Sequence, residues 1–148
     1  MPVGGFRCLP EDIGQVVGTV LSQDTFLLEP AEQYDGNIEL VASNKTVDEQ
    51  DCGKQMYVTA DAVVVTLPAT AGGLNFVVVN SMNNAGGLIS VSPNASDLIT
   101  GPDYGGTDDK DWQNTKATAR CGDRIEVVAK TTHGYCVSKL VGTWAQES

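Results

Sequence analysis

Few side chains in this sequence could support catalysis. The single histidine, His133, stands beside Gly134 in a segment typical of a hairpin turn, so no regular element holds it next to a nucleophile. The patterns GxSxG, GxxxxGK[ST] and GxGxxG, which mark a nucleophile elbow or a phosphate-binding loop, do not occur. These observations favour a protein that is not an enzyme, and we expect no cofactor.

One cluster of carboxylates has a composition that could bind sugar: Asp103, Asp108, Asp109 and Asp111, flanked by Tyr104 and Trp112. Glycan hydrolysis requires two carboxylates at a suitable separation, normally held on rigid elements that face a cleft. All four lie in one short loop, which favours a solvated loop. A calcium site is an alternative, but the spacing does not match an EF-hand.

The four cysteines, Cys8, Cys52, Cys121 and Cys136, contain no CxxC pair and have no usual zinc-site spacing with His133. A hairpin turning near His133 places Cys136 opposite a residue near position 130, far from Cys121 along the ladder. We therefore predict buried free thiols, with neither a disulfide nor a metal.

Composition predicts the elements that must position these residues. The chain has 148 residues with 16 glycines and 6 prolines, and its apolar residues are rich in valine. Many short strands joined by tight turns have this composition. A chain of this length fits one domain and buries about 70% of its unfolded surface. The predicted class is all-β.

Charge and hydropathy restrict the partners. The chain has 19 acidic against 9 basic residues, a net charge of −10, so a nucleic-acid backbone is an improbable partner and a basic protein surface is a suitable one. No apolar run is long enough to span a membrane, and no secretory signal follows Met1. We expect synthesis in the cytoplasm and no membrane partner.

Residues 1–36 differ from the rest of the chain. Five Pro and Gly residues within the first fourteen positions disfavour a regular element, yet Phe6, Leu9 and Ile13 are apolar. We predict an extended N-terminal arm with apolar anchors. The alternative is that this segment forms a first strand of the core.

From residue 37 onward, turn residues recur at intervals of about 8 to 12, which predicts a single small antiparallel sandwich or barrel over 37–148. Two predicted strands are apolar on both faces: AVVVTLP at 62–68 and LNFVVVN at 74–80. Such strands must be covered twice, either by another layer of the same chain or by another subunit. We predict the second arrangement, with a trimer interface formed by Val63, Val65, Val77 and Val79.

The order of these segments resembles the sandwich or barrel module of tailed-phage head decoration (cement) proteins and of some phage fibre domains. The resemblance covers roughly two thirds of the chain. It is carried by Asp51 and residues 53–57 in DCGKQMY, 65–69 in VTLPA, 73–80 in GLNFVVVN, 89–93 in ISVSP, 97–101 in DLITG, 122–128 in GDRIEVV and 142–144 in GTW.

The resemblance implies a homotrimer on the outside of an expanded icosahedral head, where it clamps neighbouring major capsid subunits. It also implies that the N-terminal arm contacts the capsid, here through Phe6, Leu9 and Ile13. The runner-up function is a fibre or appendage domain that binds a host-surface glycan. The four cysteines and the acidic insert at 103–112 depart from the usual pattern.

Overall fold

A computed structural model describes residues 37–83 and 87–148. Nearly all regular structure there is β-strand, and the helical part is a short 3-10 helix, Glu49–Asp51. The prediction of an all-β fold is confirmed for these residues. The predicted arm lies outside the described residues.

Eleven strands form within the described residues, and the two segments predicted as strands apolar on both faces, 62–68 and 74–80, contain the fourth and fifth of them. The strands are β1 Ile38–Val41, β2 Lys45–Thr46, β3 Gln55–Val58, β4 Val63–Thr66, β5 Asn75–Asn80, β6 Ile89–Ser92, β7 Ile99–Thr100, β8 Trp112–Asn114, β9 Arg124–Ala129, β10 Tyr135–Val141 and β11 Ala145–Gln146.

The strands form two mixed sheets. The six-stranded sheet has the order β1-β3-β5-β9-β10-β7, and the five-stranded sheet has the order β11-β8-β6-β4-β2. Five of the nine neighbouring pairs are parallel. The predicted antiparallel arrangement is therefore wrong. Turns at 42–44 and 59–62 carry the chain across to the opposite sheet instead of back along the same one.

Between Ile38 and Ser92 the chain winds as a coil, because successive strands alternate between the two sheets. Strands β1, β3 and β5 form one parallel ladder, and β2, β4 and β6 form the other. Gln55 pairs with Ile38, 17 residues earlier, and with Val77, 22 residues later. Strands β8 to β11 then extend both ladders with antiparallel pairs.

The core lies between the sheets, where every second strand residue points inward. Burying each large apolar side chain contributes about 1.5–3 kcal/mol. Trp144 is 7% exposed and packs in this core. The largest fully buried side chains are Trp112, Tyr135, Phe76, Met56, Leu67, Ile89, Ile99 and Ile125.

The segment from 97 to 123 is polar and Gly-rich, which predicts a long irregular loop, but it contains β7 and β8. Trp112 starts β8 and is buried, and its indole Nε1 donates to the Ile99 carbonyl oxygen at 3.0 Å. These two strands could not be predicted from the sequence. Each has only two or three residues, which is too short to show an alternation of apolar and polar side chains, and the Gly and Asp residues around them are typical of a loop.

Buried amide side chains join the two sheets. Asn80 on β5 donates to Asn114 on β8 at 2.8 Å, and Asn114 donates to the Asp123 carboxylate at 2.8 Å and to the Thr143 carbonyl oxygen at 2.9 Å. Gly142 adjoins this bridge with φ +89°, and a Cβ atom there would overlap the Asp123 carboxylate. The fold therefore requires glycine at position 142.

A second polar contact holds β10 beside β7. The Asp97 carboxylate accepts from the Thr70 backbone N–H at 2.9 Å and from its hydroxyl at 2.8 Å, while the Thr70 hydroxyl oxygen accepts from the Gly134 N–H. The Tyr135 hydroxyl donates to the Pro68 carbonyl oxygen at 3.0 Å. Burial, with the neighbouring Asp97 carboxylate, raises the pKa of Tyr135 to about 12.

Candidate interaction surface

The histidine lies in an exposed pair at a hairpin tip. His133 has φ +59° between β9 and β10, and its Nε2 lies 3.0 Å from Asp108 Oδ1. Their side chains are 53% and 60% exposed. Within the described part of the chain, the imidazole has no hydrogen bond to a serine, threonine or cysteine. The pair therefore lies at the surface of the hairpin tip.

The acidic loop offers little enclosed surface. Asp103, Asp108 and Asp109 are exposed, whereas Asp111 is half-buried. Burial raises the pKa of Asp111, opposed by a Ser92 hydrogen bond. In residues 37–83 and 87–148, no group of three or more potential metal ligands is placed to hold an ion.

The two aromatic residues of this loop have different environments. Tyr104 is 48% exposed, while Trp112 is in the core. Their ring centroids lie 5.6 Å apart in an edge-to-face arrangement. Only Tyr104 therefore has a ring surface available to a sugar.

The cysteines in the described residues are free thiols. Cys52 and Cys136 are half-buried and Cys121 is exposed, so the prediction of burial is wrong for these three. Cys136 pairs with Val128 on β9, which keeps it away from Cys121 as the hairpin predicted. Cys8 lies outside the described residues.

The exposed apolar side chains are concentrated on one surface. Of the five large hydrophobic side chains exposed in the described residues, four belong to the outer face of the six-stranded sheet: Ile38, Leu40, Val128 and Val141. Leu40 is 71% exposed. We call this surface the outer face and define it by the strand positions that alternate with the core.

Strand register arranges these side chains in rows across the outer face. One row runs through five strands in the order Leu40, Tyr57, Val79, Arg124 and Val141. Directly opposed residues on neighbouring strands are in side-chain contact range. Leu40 and Val141, the exposed apolar residues of this row, lie at its two ends, and Val79 between them is 6% exposed. We call this row the apolar row.

A second row of the outer face runs Ile38, Gln55, Val77, Glu126 and Lys139. It combines the apolar Ile38 and Val77 with the polar or charged Gln55, Glu126 and Lys139. The outer face therefore carries apolar and charged side chains in neighbouring positions.

The four valines predicted as a trimer interface lie in two different environments. Val63 and Val65 are 2% and 0% exposed in the core, so they have no side-chain surface to offer another subunit in this fold. Val77 and Val79 belong to the outer face, where Val77 is half-buried and Val79 is 6% exposed. The outward side of β4 is instead formed by Val64 and Thr66.

Leu40, Val128 and Val141 were not predicted as interface residues. In β1 the signal was present, because Ile38 and Leu40 alternate with Glu39 and Val41. In β9 the adjacent pair Val127 and Val128 shows that both faces are apolar at that point.

Arg124 lies within the apolar row. Its Nη2 lies 2.9 Å from Glu126 Oε2, and the two side chains are 29% and 27% exposed. Its Nε is buried and has no hydrogen-bond partner in the described structure. A buried donor without an acceptor is energetically costly, so this atom is an unusual feature of the outer face.

A cluster of four charged side chains lies at the edge strands β1 and β2: Glu39, Lys45, Asp51 and Lys54. Lys45 Nζ lies 2.9 Å from Glu39 and 3.3 Å from Asp51, and Lys54 Nζ lies 3.4 Å from each of the same carboxylates. Burial opposes ionisation of Asp51, but hydrogen bonds from the Asp48 N–H and Lys45 outweigh it and lower its pKa. Inward-pointing charges at an edge disfavour pairing with a foreign strand.

No protein-family model, curated protein or solved structure matches the chain. The predicted capsid anchors Phe6, Leu9 and Ile13 lie outside the described residues. Across the ranges 37–83 and 87–148, the fold includes no helix with the length and apolar character needed to cross a bilayer.

Proposed function

We propose that the protein is a capsid decoration protein that binds the outside of an icosahedral phage head as a homotrimer and stabilises it. The observation that carries the proposal is the concentration of exposed apolar side chains on the outer face. Exposed apolar surface of this kind marks an interaction site. The segments between residues 51 and 144 follow one another in an order that resembles the decoration module, and this resemblance indicates a phage head as the assembly.

In this proposal the outer face mediates self-association, and residues 1–36 contact the major capsid protein through Phe6, Leu9 and Ile13. An extended segment can bind through main-chain hydrogen bonds while its apolar side chains fill pockets. Three arms on one trimer act together, so each contact can be weak and the assembly still binds tightly. The protein is made in the host cytoplasm and ends on the outer capsid surface.

Symmetry sets a requirement on the interface. A three-fold ring uses a heterologous contact, in which the outer face of one subunit meets a different surface of the next. The acidic balance of the chain keeps a densely displayed protein soluble and suits a basic capsid surface. Both properties favour a structural role over nucleic-acid binding.

The test uses expanded phage heads that lack decoration and the full-length protein. Wild type should pellet with the heads and raise their thermal resistance, and sedimentation equilibrium should give three times the 15.6 kDa chain mass. Leu40→Asp should reduce trimer formation because it places a charge in the apolar row. A wild-type protein that stays in the supernatant at saturating heads contradicts the proposed function.

A fibre or appendage domain that binds a host-surface glycan is the second candidate, and half-exposed Tyr104 in the acidic loop favours it. Antibody labelling of intact virions separates the two. Many copies over the head support decoration, whereas a few copies at one vertex support the appendage. A loss of cell or glycan binding in Tyr104→Ala, with unchanged head binding, would also support the appendage.

A further inference from the structure

We propose that Glu39, Lys45, Asp51 and Lys54 form a charged cap on the open end of the core, and that this cap prevents a second copy of the chain from adding its strands there. The inference is independent of the proposed function, because it concerns the edges of the two sheets and not the outer face.

Both sheets end in an edge strand at the start of the coil. β1 is the outermost strand of the six-stranded sheet, and β2 is the outermost strand of the five-stranded sheet. These two strands follow one another in the first turn of the coil, so their free edges lie at one end of the core. Across residues 37–83 and 87–148, no further strand pairs with either edge. Such edges expose backbone N–H and C=O groups to which a foreign strand can pair.

The inward residues of each sheet form a row that is apolar until it reaches this end. In the six-stranded sheet the row runs Leu140, Ile125, Val78, Met56 and Glu39. In the five-stranded sheet it runs Trp112, Val91, Val65 and Lys45. Met56 and Val65, on the strands next to the edges, are fully buried. Both rows therefore end in a charged residue where the alternation calls for an apolar one.

The two charged residues that end these rows pair with each other across the gap between the sheets. Lys45 Nζ lies 2.9 Å from Glu39 Oε2, and their side chains are 22% and 32% exposed. Asp51, which is nearly buried, lies 3.3 Å from Lys45 Nζ and 3.4 Å from Lys54 Nζ. Lys54 Nζ also lies 3.4 Å from Glu39 Oε1. Each carboxylate thus contacts both ammonium groups, and the cap is electrically balanced.

The geometry of the open end identifies a second copy as the partner that the cap excludes. A partner that continues both sheets must present two free edges, one in each of two stacked sheets, and β1 and β2 of another copy have this arrangement. A two-fold axis perpendicular to the sheets would pair β1 with β1 and β2 with β2, both antiparallel.

The cap makes this contact unfavourable. It would bring two caps together and remove the remaining water from their charges, which is costly. Repeat proteins protect their terminal units in a comparable way, with a polar outer face on the last repeat.

The experiment compares the full-length wild type with the double variant Glu39→Leu/Lys45→Leu by sedimentation velocity. The variant removes one charge of each sign and leaves Asp51 paired with Lys54. At a concentration where wild type gives one species, the variant should give a second species of twice that mass. Its dissociation constant for doubling should be at least about tenfold lower than that of wild type. Hydrogen exchange in β1 and β2 should slow in the doubled species, because their edge N–H groups become paired.

The matched control is Asp61→Asn/Lys116→Leu. This pair also has one charge of each sign, but both residues lie in turns and are 44% and 61% exposed. Asparagine keeps an acceptor for the Leu88 backbone N–H. The control should keep the wild-type mass, because it leaves the cap intact.

Three results would overturn the inference: a folded double variant that keeps the wild-type mass, a control that doubles equally, or doubling without slower exchange in β1 and β2. If circular dichroism shows that the leucine variant is unfolded, Glu39→Gln/Lys45→Met takes its place. It preserves the shape of both side chains and should also double, and its failure to do so counts against the cap. Doubling is measured against the wild-type species, so a monomeric wild type contradicts the proposed trimer and leaves this test in force.

Discussion

The amide bridge between the sheets should contribute a large share of the stability, and Asn114→Ala tests it. Asn114 is fully buried. Its removal leaves the Asn80 amide without its acceptor and the buried Asp123 carboxylate without one of its donors. Each buried group left unsatisfied costs about 1–3 kcal/mol, so the expected loss is about 4 kcal/mol. A protein of this size loses about 2–4 °C of Tm per kcal/mol, which predicts a fall of about 8–16 °C.

Calorimetry and urea unfolding at one fixed protein concentration measure this effect, because self-association shifts the apparent stability. Gln113→Ala is the matched control. Gln113 neighbours Asn114 on β8 but points outward, with a single side-chain hydrogen bond to Ser90 at 3.3 Å. The control should lose less than about 3 °C. If Asn114→Ala loses no more than the control, the amide bridge does not hold the sheets together.

Three further predictions concern single positions. Gly142→Ala should lower Tm at least about 5 °C more than Gly122→Ala, because only the first places a Cβ against Asp123, although both glycines have positive φ. Asp51 has a lowered pKa, so its stabilisation should be present at neutral pH and should be lost progressively as pH falls below about 4; the difference in unfolding between wild type and Asp51→Asn should therefore be largest near pH 7 and narrow as pH falls below about 4. Tyr135 has a raised pKa of about 12 against about 10 when unfolded, so it should stabilise the fold below pH 10 and lose that contribution as pH rises towards 12. Tyr135→Phe should remove this alkaline loss, measured by unfolding alongside phenolate absorbance.

Alternation along the sequence was sufficient to locate most strands. In LNFVVVN and RIEVVAK, the inward residues Phe76, Val78, Ile125 and Val127 all pack in the core. This information is local, because a strand's two faces are set by its own pleat. Strand direction was not recoverable in the same way, because no residue pattern in the turn at 59–62 distinguishes a crossing to the other sheet from a hairpin.

The outer face was recoverable only in part. Val77 and Val79 were identified from a doubly apolar strand, but Val63 and Val65 had the same pattern and lie in the core. Val63 and Val65 on β4 are covered by the opposite sheet, whereas Val77 and Val79 on β5 point away from it. Which side of a strand faces the opposite sheet depends on the parallel winding of the chain, which the sequence did not predict. Asn80 and Asn114 gave no signal, because asparagine is equally typical of turns and its burial depends on a partner 34 residues away.

The coil between Ile38 and Ser92 has a consequence for synthesis on the ribosome. Its strand pairs join residues 17 to 26 positions apart, so each turn of the coil can close soon after it is translated. β5 can pair with β9 only after about 50 further residues have been translated. Until then β5, which carries Phe76 and Val78, lacks its neighbour on that side. The nascent chain thus passes through a stage in which an apolar parallel ladder has open edges. Chaperone dependence and aggregation during expression should arise at this stage, before the C-terminal strands emerge.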